Sequence, residues 1–377
     1  PIIKEKFLKE LEHHLHWSHH EFTENPLLLT IMLMTFEQFA EVPSKMHIFY
    51  REAFLALSQK HDASKGAYKR TLRTGLSADK FADYFAEICS RSYHDEKFEL
   101  SETEFAKYYS LLNEIEKAHD EISTAEDFLY DLCSNMCLMY FEGGKYHFTH
   151  RSFQEYFCAL YFSKQKDKNL KMIGSFFENK HSRTYGDKTF NMLYDMIPDK
   201  IDEYIFIPFL EDLFDKCDKG NGYWTFIEIM YPHIIYEKGE TNEFIFNEPE
   251  SYIFGFIMKV KNLSNGDIDF DYLPHIDSLV VTEYGYVEDD DGSDKLVDLN
   301  DVGYEYRMEY GEPETVGWVL EFDIEEILKK PLRFKELLDV LDRDDFKPKL
   351  DYVEAREYYQ SLIERQVPKG DSLFDLF

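Results

Sequence analysis

Gly143 and Gly144 separate two short runs of strand-forming residues, and a helical pattern follows the second run at once. Paired glycines adopt the positive φ angles of a tight turn, so residues 139–148 are predicted to form a β-hairpin. Beyond the hairpin, large apolar residues recur at the i, i+3, i+4, i+7 and i+8 spacing of one helix face: Phe153, Tyr156, Phe157, Leu160 and Tyr161. A chain with this pattern must pass directly from a hairpin into an amphipathic helix with a buried stripe.

His150 lies at the junction between the last predicted strand and this helix. The first backbone N–H groups of a helix have no partners within the helix, and together with the helix dipole they favour a bound anion such as phosphate. An imidazole beside them is therefore a candidate phosphate-binding group. The alternative is that His150 only caps the helix or packs at a junction between domains.

Other helices are predicted upstream of the hairpin. Their apolar periodicity places them at residues 2–20, 27–41, 45–60 and 78–93. Two matches to the capping box S-x-x-E begin two more, at Ser101/Glu104 and Ser123/Glu126. Helices that lead into a hairpin have the topology of a winged-helix domain, with the hairpin as the wing.

Past Gly220 the sequence changes to short β-branched and aromatic runs separated by Gly, Pro, Asn and Asp. We interpret these runs as strands: residues 223–231, 243–247, 252–260, 277–287, 304–310 and 316–324. Two closing helices are predicted near residues 334–341 and 352–365. The predicted fold class is α+β, with an N-terminal helical bundle and winged-helix domain followed by helices and a C-terminal α+β domain with antiparallel strands.

A chain of 377 residues is long enough for several domains. We predict four: a helical domain at 1–75, a winged-helix domain at 76–165, a helical connector at 166–220 and a C-terminal α+β domain at 221–377. The tail VPKGDSLFDLF carries Leu and Phe residues after Pro368 and Gly370. It is predicted to dock on the C-terminal domain, and the alternative is a short binding peptide.

The formal net charge of −32 is unevenly distributed. Residues 1–75 hold ten basic and nine acidic residues, whereas residues 240–330 hold six basic and 24 acidic residues. Nucleic-acid binding requires basic side chains that neutralise phosphates, so this charge argues against a winged helix that reads DNA. The basic segment 60–73 is predicted to be a solvated loop between helices.

The sequence contains no apolar run of the roughly 18 residues that span a bilayer, since PLLLTIMLMTF has only 11. The first 20 residues are charged and rich in histidine, unlike a secretion signal. The five cysteines are odd in number and lie mostly in apolar helical segments, as free cysteines of a reducing compartment do. A cytoplasmic location and no membrane partner are therefore expected.

Two clusters of potential metal ligands each lack residues that a known metal-binding motif requires. His16 and His20 share a helix face at the i, i+4 spacing of zinc sites, but the HExxH glutamate is missing. The acidic run 288–291 lacks the Gly and Glu positions of an EF-hand loop and is predicted to be a solvated loop. We predict no metal site, and no Ser-His-Asp or Cys-His set has supporting local sequence.

The segment from Phe148 to Ala159 resembles a motif at the end of the winged-helix domain of NACHT-type STAND NTPases, F-x-H-x-S-F-Q-E-[FY]-[FL]-A-A, with Cys158 in place of the first Ala. These proteins include animal NOD-like receptors and bacterial anti-phage relatives. A second segment, ENPLLLTIMLMTF, resembles their first helical domain, and Pro26 matches the proline that packs on the adenine. The resemblance covers roughly residues 1–165 and fades beyond 170.

A NACHT ATPase needs a Gly-rich loop that ends in Gly-Lys-Ser/Thr, whose backbone amides hold phosphates. The sequence has no such string, and the nearest approach, Gly143-Gly144-Lys145-Tyr146, is the predicted hairpin turn. The acidic motif that would hold magnesium is also absent. The chain therefore resembles the later half of such a protein and is expected to have no ATPase activity by itself. Its abrupt helical start suggests a partial polypeptide rather than a native start that has lost its Met.

The resemblance implies a regulatory and sensing part of a NACHT STAND NTPase of bacterial anti-phage immunity. In the resting state His150 would clamp ADP, Pro26 would pack on its base, and Arg151 would lie near phosphate or acidic groups. The parent protein would bind ADP or ATP with Mg²⁺, and its upstream nucleotide-binding and effector domains would be partners of this chain. No nucleotide is expected to bind tightly to this chain alone. A trigger protein or ligand, for example one derived from a phage, would release the clamp. Release would permit nucleotide exchange and homo-oligomerisation.

Two other functions remain open at this point. One is a stand-alone protein-interaction scaffold that binds no nucleotide. The other is a nucleic-acid-binding regulator, which the net charge of −32 disfavours.

Overall fold

The structure is a computed structural model in which two compact units are distinguished. The first unit contains residues 1–173 and 182–201, and the second contains residues 174–181 and 202–377. The structure describes residues 2–11, 26–39, 45–59, 72–112, 124–179, 187–238, 242–245, 249–263, 280–288, 294–298 and 315–366. Each unit combines helices with an antiparallel sheet, so the predicted α+β class is confirmed.

The first unit is mainly helical. Its helices are α1 (Ile2–Glu10), α2 (Pro26–Phe39), α3 (Met46–Gln59), α4 (Ala78–His94), α5 (Glu102–Ser110), α6 (Ala125–Tyr130), α7 (Arg151–Ser163), the beginning of α8 (Asp167–Glu178), α9 (Thr189–Met196) and α10 (Pro198–Ile201). A π-helical turn, Asp131–Asn135, extends α6. Its strands are β1 (Glu99–Leu100), β2 (Met139–Glu142) and β3 (Lys145–Phe148).

Capping side chains set where several of these helices begin. The Ser77 side chain accepts the N–H of Lys80 at the start of α4, and Ser101 and Glu104 form the predicted capping box of α5. The predicted box at Ser123/Glu126 is wrong by one residue, because Thr124 and Asp127 cap α6 instead. Threonine and aspartate can form the same two hydrogen bonds as serine and glutamate, so Thr124 and Asp127 also fit the pattern of a capping box.

The hairpin forms as predicted. Gly143 and Gly144 have φ angles of +59° and +83°, and β2 pairs with β3 from Met139 opposite Phe148 to Glu142 opposite Lys145. The short strand β1, which was not predicted, pairs with the other edge of β3 and gives the order β1-β3-β2. Because β3 is central in this sheet, the chain that leaves it toward α7 starts from a fixed position.

Helix α7 lies at the centre of the core of the first unit. Phe157 contacts Phe85 of α4 with ring centroids 4.7 Å apart and Phe54 of α3 at 5.4 Å. Phe153 contacts Tyr50 of α3 at 5.3 Å. These aromatic contacts bury α7 between α3 and α4 and hold its N-terminus in place.

The second unit contains the end of α8 and a π-helical turn, Asp202–Phe206. Its other helices are α11 (Ile207–Lys219), α12 (Tyr223–Met230), α13 (Tyr252–Lys261), α14 (Ile324–Lys329), α15 (Lys335–Leu341) and α16 (Lys347–Gln366). Its strands are β4 (His233–Lys238), β5 (Asn242–Ile245), β6 (Val280–Glu288), β7 (Asp294–Asp298) and β8 (Thr315–Asp323). They form an antiparallel sheet in the order β5-β4-β8-β6-β7.

Two segments that we interpreted as strands are helices. Residues 223–230 form α12, where Tyr223, Phe226, Ile227 and Met230 are buried at the i, i+3, i+4, i+7 spacing of a helix. Residues 252–260 form α13, whose first turn is capped by the Ser251 side chain at the N–H of Phe254, 3.1 Å away. Tertiary burial of one helix face outweighed the β propensity of these aromatic residues. The segments 243–247, 277–287 and 316–324 do contribute β5, β6 and β8.

Several predictions fall outside the described residues: the histidines at 13–20, most of the basic segment 60–73, the acidic residues 289–291, the run 304–310 and the tail 367–377. The four predicted domain boundaries stay a prediction. None of the helices in the described part of the chain has both the length and the apolar composition that crossing a bilayer demands.

Candidate functional site

His150 is the N-cap of α7. Its backbone is extended, with φ −149° and ψ 138°, because it follows directly on β3. Its Nδ1 accepts the backbone N–H of Ser152 at 3.3 Å, and the Ser152 hydroxyl is also within hydrogen-bonding distance of Nδ1. The ring is half-buried and satisfies one of the N–H groups at the helix start. The capping role is therefore part of what His150 does.

This cap decides which nitrogen of the ring carries the proton. A neutral imidazole has one donor and one acceptor nitrogen, and the backbone N–H of Ser152 is a donor that requires Nδ1 to accept. The proton of neutral His150 is consequently assigned to Nε2. At Nε2 the ring is a hydrogen-bond donor, as a group that binds an anion must be.

Arg151, the first residue of α7, lies against two carboxylates. Its Nε is 3.1 Å from Oε1 of Glu155, and its Nη2 is 3.5 Å from Oδ2 of Asp187. The Arg151 side chain is 45% exposed, whereas the Glu155 and Asp187 side chains are only 5% and 3% exposed. The guanidinium also lies 4.4 Å above the ring of Phe98. Arg151 thus supplies positive charge to two buried carboxylates at the start of α7.

The same two carboxylates hold the start of α9. Glu155 accepts the backbone N–H of Lys188 at 3.2 Å, and Asp187 accepts that of Thr189 at 2.8 Å. The Tyr93 hydroxyl of α4 donates to Asp187 at 2.7 Å. Burial, reinforced by the Asp187 carboxylate, raises the pKa of Tyr93 well above its ordinary value. Three helices, α4, α7 and α9, therefore meet at one buried group of polar side chains.

Gln154 makes a second set of polar contacts on α7. Its fully buried side chain donates from Nε2 to the Ser92 hydroxyl and to the Lys97 carbonyl, both at 2.8 Å. The sequence predicted a single buried stripe on this helix, but Ser152 to Ala159 are buried all round. The reason is that α3, α4 and α9 pack on different sides of α7, so Gln154 and Glu155 face other helices rather than solvent.

Pro26 is the first residue of α2 and is exposed. A proline there loses no helical hydrogen bond, and its carbonyl accepts the Thr30 hydroxyl at 2.7 Å. The structure brings His150 and Arg151 together at one helix start and places Pro26 at another. Helix α2 packs on α3, and α3 packs on α7, so both helix starts belong to the first unit.

Asp187 and Tyr93 are the participants that sequence reasoning missed. Asp187 stands two residues before the periodic segment TFNMLY, which is a signal for a helix start and could have identified Asp187 as a capping residue. Nothing in the local sequence of Tyr93 connects it with Asp187, because 94 residues separate the two.

Comparison with protein families matches residues 194–377 to the short NACHT-associated C-terminal domain, family 14. Comparisons with curated proteins and with solved structures found no match. The matched region includes most of the second unit and the end of the first. It follows the segment of the chain whose motifs resemble NACHT-type proteins, so two separate parts of the sequence indicate the same group. Residues 194–377 thus match a C-terminal portion of a NACHT-family protein.

Proposed function

We propose that this chain is the regulatory and sensing part of a NACHT STAND NTPase that acts in bacterial anti-phage immunity. In the resting state, His150 holds ADP that is bound mainly by a nucleotide-binding module elsewhere in the protein. The observation that carries this proposal is the N-cap geometry of His150, since a ring that accepts at Nδ1 is a donor at Nε2.

The mechanism is a two-state switch. The Nε2–H group of His150 donates to the β-phosphate of ADP, Pro26 packs on the adenine, and Arg151 adds positive charge nearby. A trigger binds the C-terminal domain and favours a state in which these contacts are lost, so ADP exchanges for ATP with Mg²⁺ and the protein oligomerises. A ligand can shift such an equilibrium only through different contacts with the two states.

The parts of the chain take separate roles in this proposal. Residues 76–165 are a winged-helix domain, which the succession of helices α4 to α6, the hairpin β2-β3 and helix α7 supports. Residues 221–377 are the sensor, which the NACHT-associated family supports. The protein acts in the cytoplasm with upstream nucleotide-binding and effector domains, a trigger of phage or cellular origin, and further copies of itself as partners.

A titration of labelled ADP tests the clamp. The protein that joins this chain to its nucleotide-binding module is compared with the His150→Ala variant by fluorescence anisotropy. We expect the variant to bind ADP about tenfold more weakly, because it loses one charge-assisted hydrogen bond to the phosphate. His147→Ala is the matched control, because His147 is a half-buried histidine of the adjacent strand β3. Equal affinity of wild type and His150→Ala would contradict the clamp.

A stand-alone scaffold without nucleotide binding is the second candidate. It is favoured by the fact that His150 already has a structural task, as the cap of α7. In this case ADP affinity would be the same with and without this chain, while a protein partner would still bind the second unit.

A further inference from the structure

Arg151 is shared between carboxylates that anchor two different helices. Glu155 belongs to α7, and Asp187 precedes α9, yet one guanidinium contacts both at 3.1 Å and 3.5 Å. Glu155 also accepts the backbone N–H of Lys188, the residue before α9, and Asp187 accepts that of Thr189, its first residue. The position of Arg151 is therefore linked to the attachment of α9 to α7.

Both carboxylates need their positive partner. Their side chains are almost completely buried, and a buried carboxylate that loses its cation keeps the cost of desolvation without the compensating attraction. Arg151 itself is half-exposed, so it can reach a group in solvent that its two partners cannot reach. The arrangement has one half-exposed cation and two buried anions.

A phosphate at His150 would compete with these carboxylates for the same guanidinium. Arg151 directly follows His150 in the chain, and a planar guanidinium binds phosphate and carboxylate oxygens with similar geometry. Whatever part of Arg151 turns to the phosphate is withdrawn from Glu155 and Asp187. Binding of the anion then weakens the hold on the start of α9.

We propose that Arg151 couples phosphate binding at His150 to the attachment of helix α9. In one state Arg151 lies on Glu155 and Asp187, and α9 is fixed to α7. In the other state Arg151 binds the phosphate, and the start of α9 is released. The coupling rests on the proposed function of His150, whereas the role of Arg151 in holding α9 does not.

The attachment is tested on the full chain without nucleotide, by amide hydrogen exchange. In the Arg151→Ala variant, we expect the amides of Lys188 and Thr189 and the first turn of α9 to exchange about tenfold faster than in the wild type. Arg151→Lys keeps the charge without the planar fork and should give an intermediate rate. Lys164→Ala is the control, because Lys164 lies just after the C-terminus of α7 and forms an exposed ion pair with Asp83. Unchanged exchange at Lys188 and Thr189 in a folded Arg151→Ala variant would overturn the attachment.

The competition is tested by the direction of two effects on labelled ADP binding by the protein with its nucleotide-binding module. Arg151→Ala removes a phosphate ligand and should weaken ADP binding roughly fivefold or more. Asp187→Asn removes a competing charge but keeps an acceptor for Thr189, so it should strengthen ADP binding. A purely structural role of these residues would weaken ADP binding in both variants.

The two experiments separate the possible failures. If His150→Ala leaves ADP binding intact, the proposed function fails, while faster exchange in Arg151→Ala still establishes the attachment. If His150→Ala weakens binding but Asp187→Asn also weakens it, the clamp stands and the competition for Arg151 is wrong.

Discussion

The Tyr93 hydroxyl donates a 2.7 Å hydrogen bond to the carboxylate of Asp187, 94 residues further along the chain. Tyr93 is 2% exposed and belongs to α4, while Asp187 precedes α9. The bond therefore fixes the segment that enters α9 to a helix of the core, independently of the ion pair between Asp187 and Arg151.

Replacement of Tyr93 by phenylalanine should destabilise the first unit by about 1–3 kcal/mol, because the buried Asp187 loses a donor while the ring still fills its place. Urea unfolding followed by circular dichroism measures the change. Tyr108→Phe is a matched control, since the Tyr108 hydroxyl donates to the exposed Asp95 at 2.8 Å and its loss can be replaced by water. Equal losses in the two variants would show that burial of the acceptor has no influence.

Asp131 supports the segment before α4. Its carboxylate is fully buried and accepts the backbone N–H groups of Arg73 and Thr74, both at 3.0 Å, and the Thr74 hydroxyl at 2.9 Å. Asp131→Ala leaves these donors without a partner and should cost about 2–4 kcal/mol of unfolding free energy. Asp83→Ala, which breaks only the exposed pair with Lys164, should cost less than about 1 kcal/mol. A loss at Asp131 no larger than at Asp83 would contradict this assignment.

The hairpin turn depends on two glycines for its backbone rather than for space. A Cβ at Gly143 or Gly144 would meet no atom within 4 Å, but both residues have positive φ. Gly144→Ala should therefore lower the stability of the first unit by about 1 kcal/mol, whereas Gly143→Asn should be tolerated because Asn-Gly favours this turn. Thermal unfolding of the two variants distinguishes these outcomes, and an equal fall in Tm would show that the turn does not discriminate between them.

Stability should fall as the pH rises above 9. Burial raises the pKa of Cys133 and of Cys217 from 9.0 to about 11 in the folded protein. Between these values the unfolded chain has released protons that the folded chain keeps, so this contribution is complete below pH 9 and is lost as the pH rises through 11. Buried tyrosines such as Tyr156, whose pKa burial also raises, act in the same direction above pH 10.

Denaturant midpoints at pH 8, 9 and 10 measure this dependence. The midpoint should decrease over this range, and Cys133→Ala should reduce the slope for the first unit. A midpoint that stays constant from pH 8 to pH 10 would contradict the raised thiol pKa values.

The local part of the fold could be predicted from the sequence. Gly143-Gly144 fixes a hairpin through backbone conformation alone, and Ser101 with Glu104 fixes a helix start through neighbouring hydrogen bonds. Helix α12 was misinterpreted because its aromatic composition favours a strand, although Phe226, Ile227 and Met230 have helical spacing.

The contacts of the candidate site are only partly visible in the sequence. The position of His150 at a strand-to-helix junction follows from local patterns, and so does its cap. The partners of Arg151 and Tyr93 at Asp187 depend on how α4, α7 and α9 pack, and no periodicity encodes a contact between such distant segments. The partners of the buried residues Gln154 and Glu155, at Ser92 and Lys188, lie far from them in the sequence and required the structure.

The dissociation rate of labelled ADP from His150→Asn, in the protein that includes the nucleotide-binding module, tests the central claim most directly. Asparagine is an equally good N-cap, so this variant keeps the start of α7 intact while it removes the Nε2–H donor. The account predicts unchanged thermal stability together with ADP release about tenfold faster than in the wild type. Release at the wild-type rate from a stable His150→Asn protein would contradict it, and His150 would then be a helix cap only.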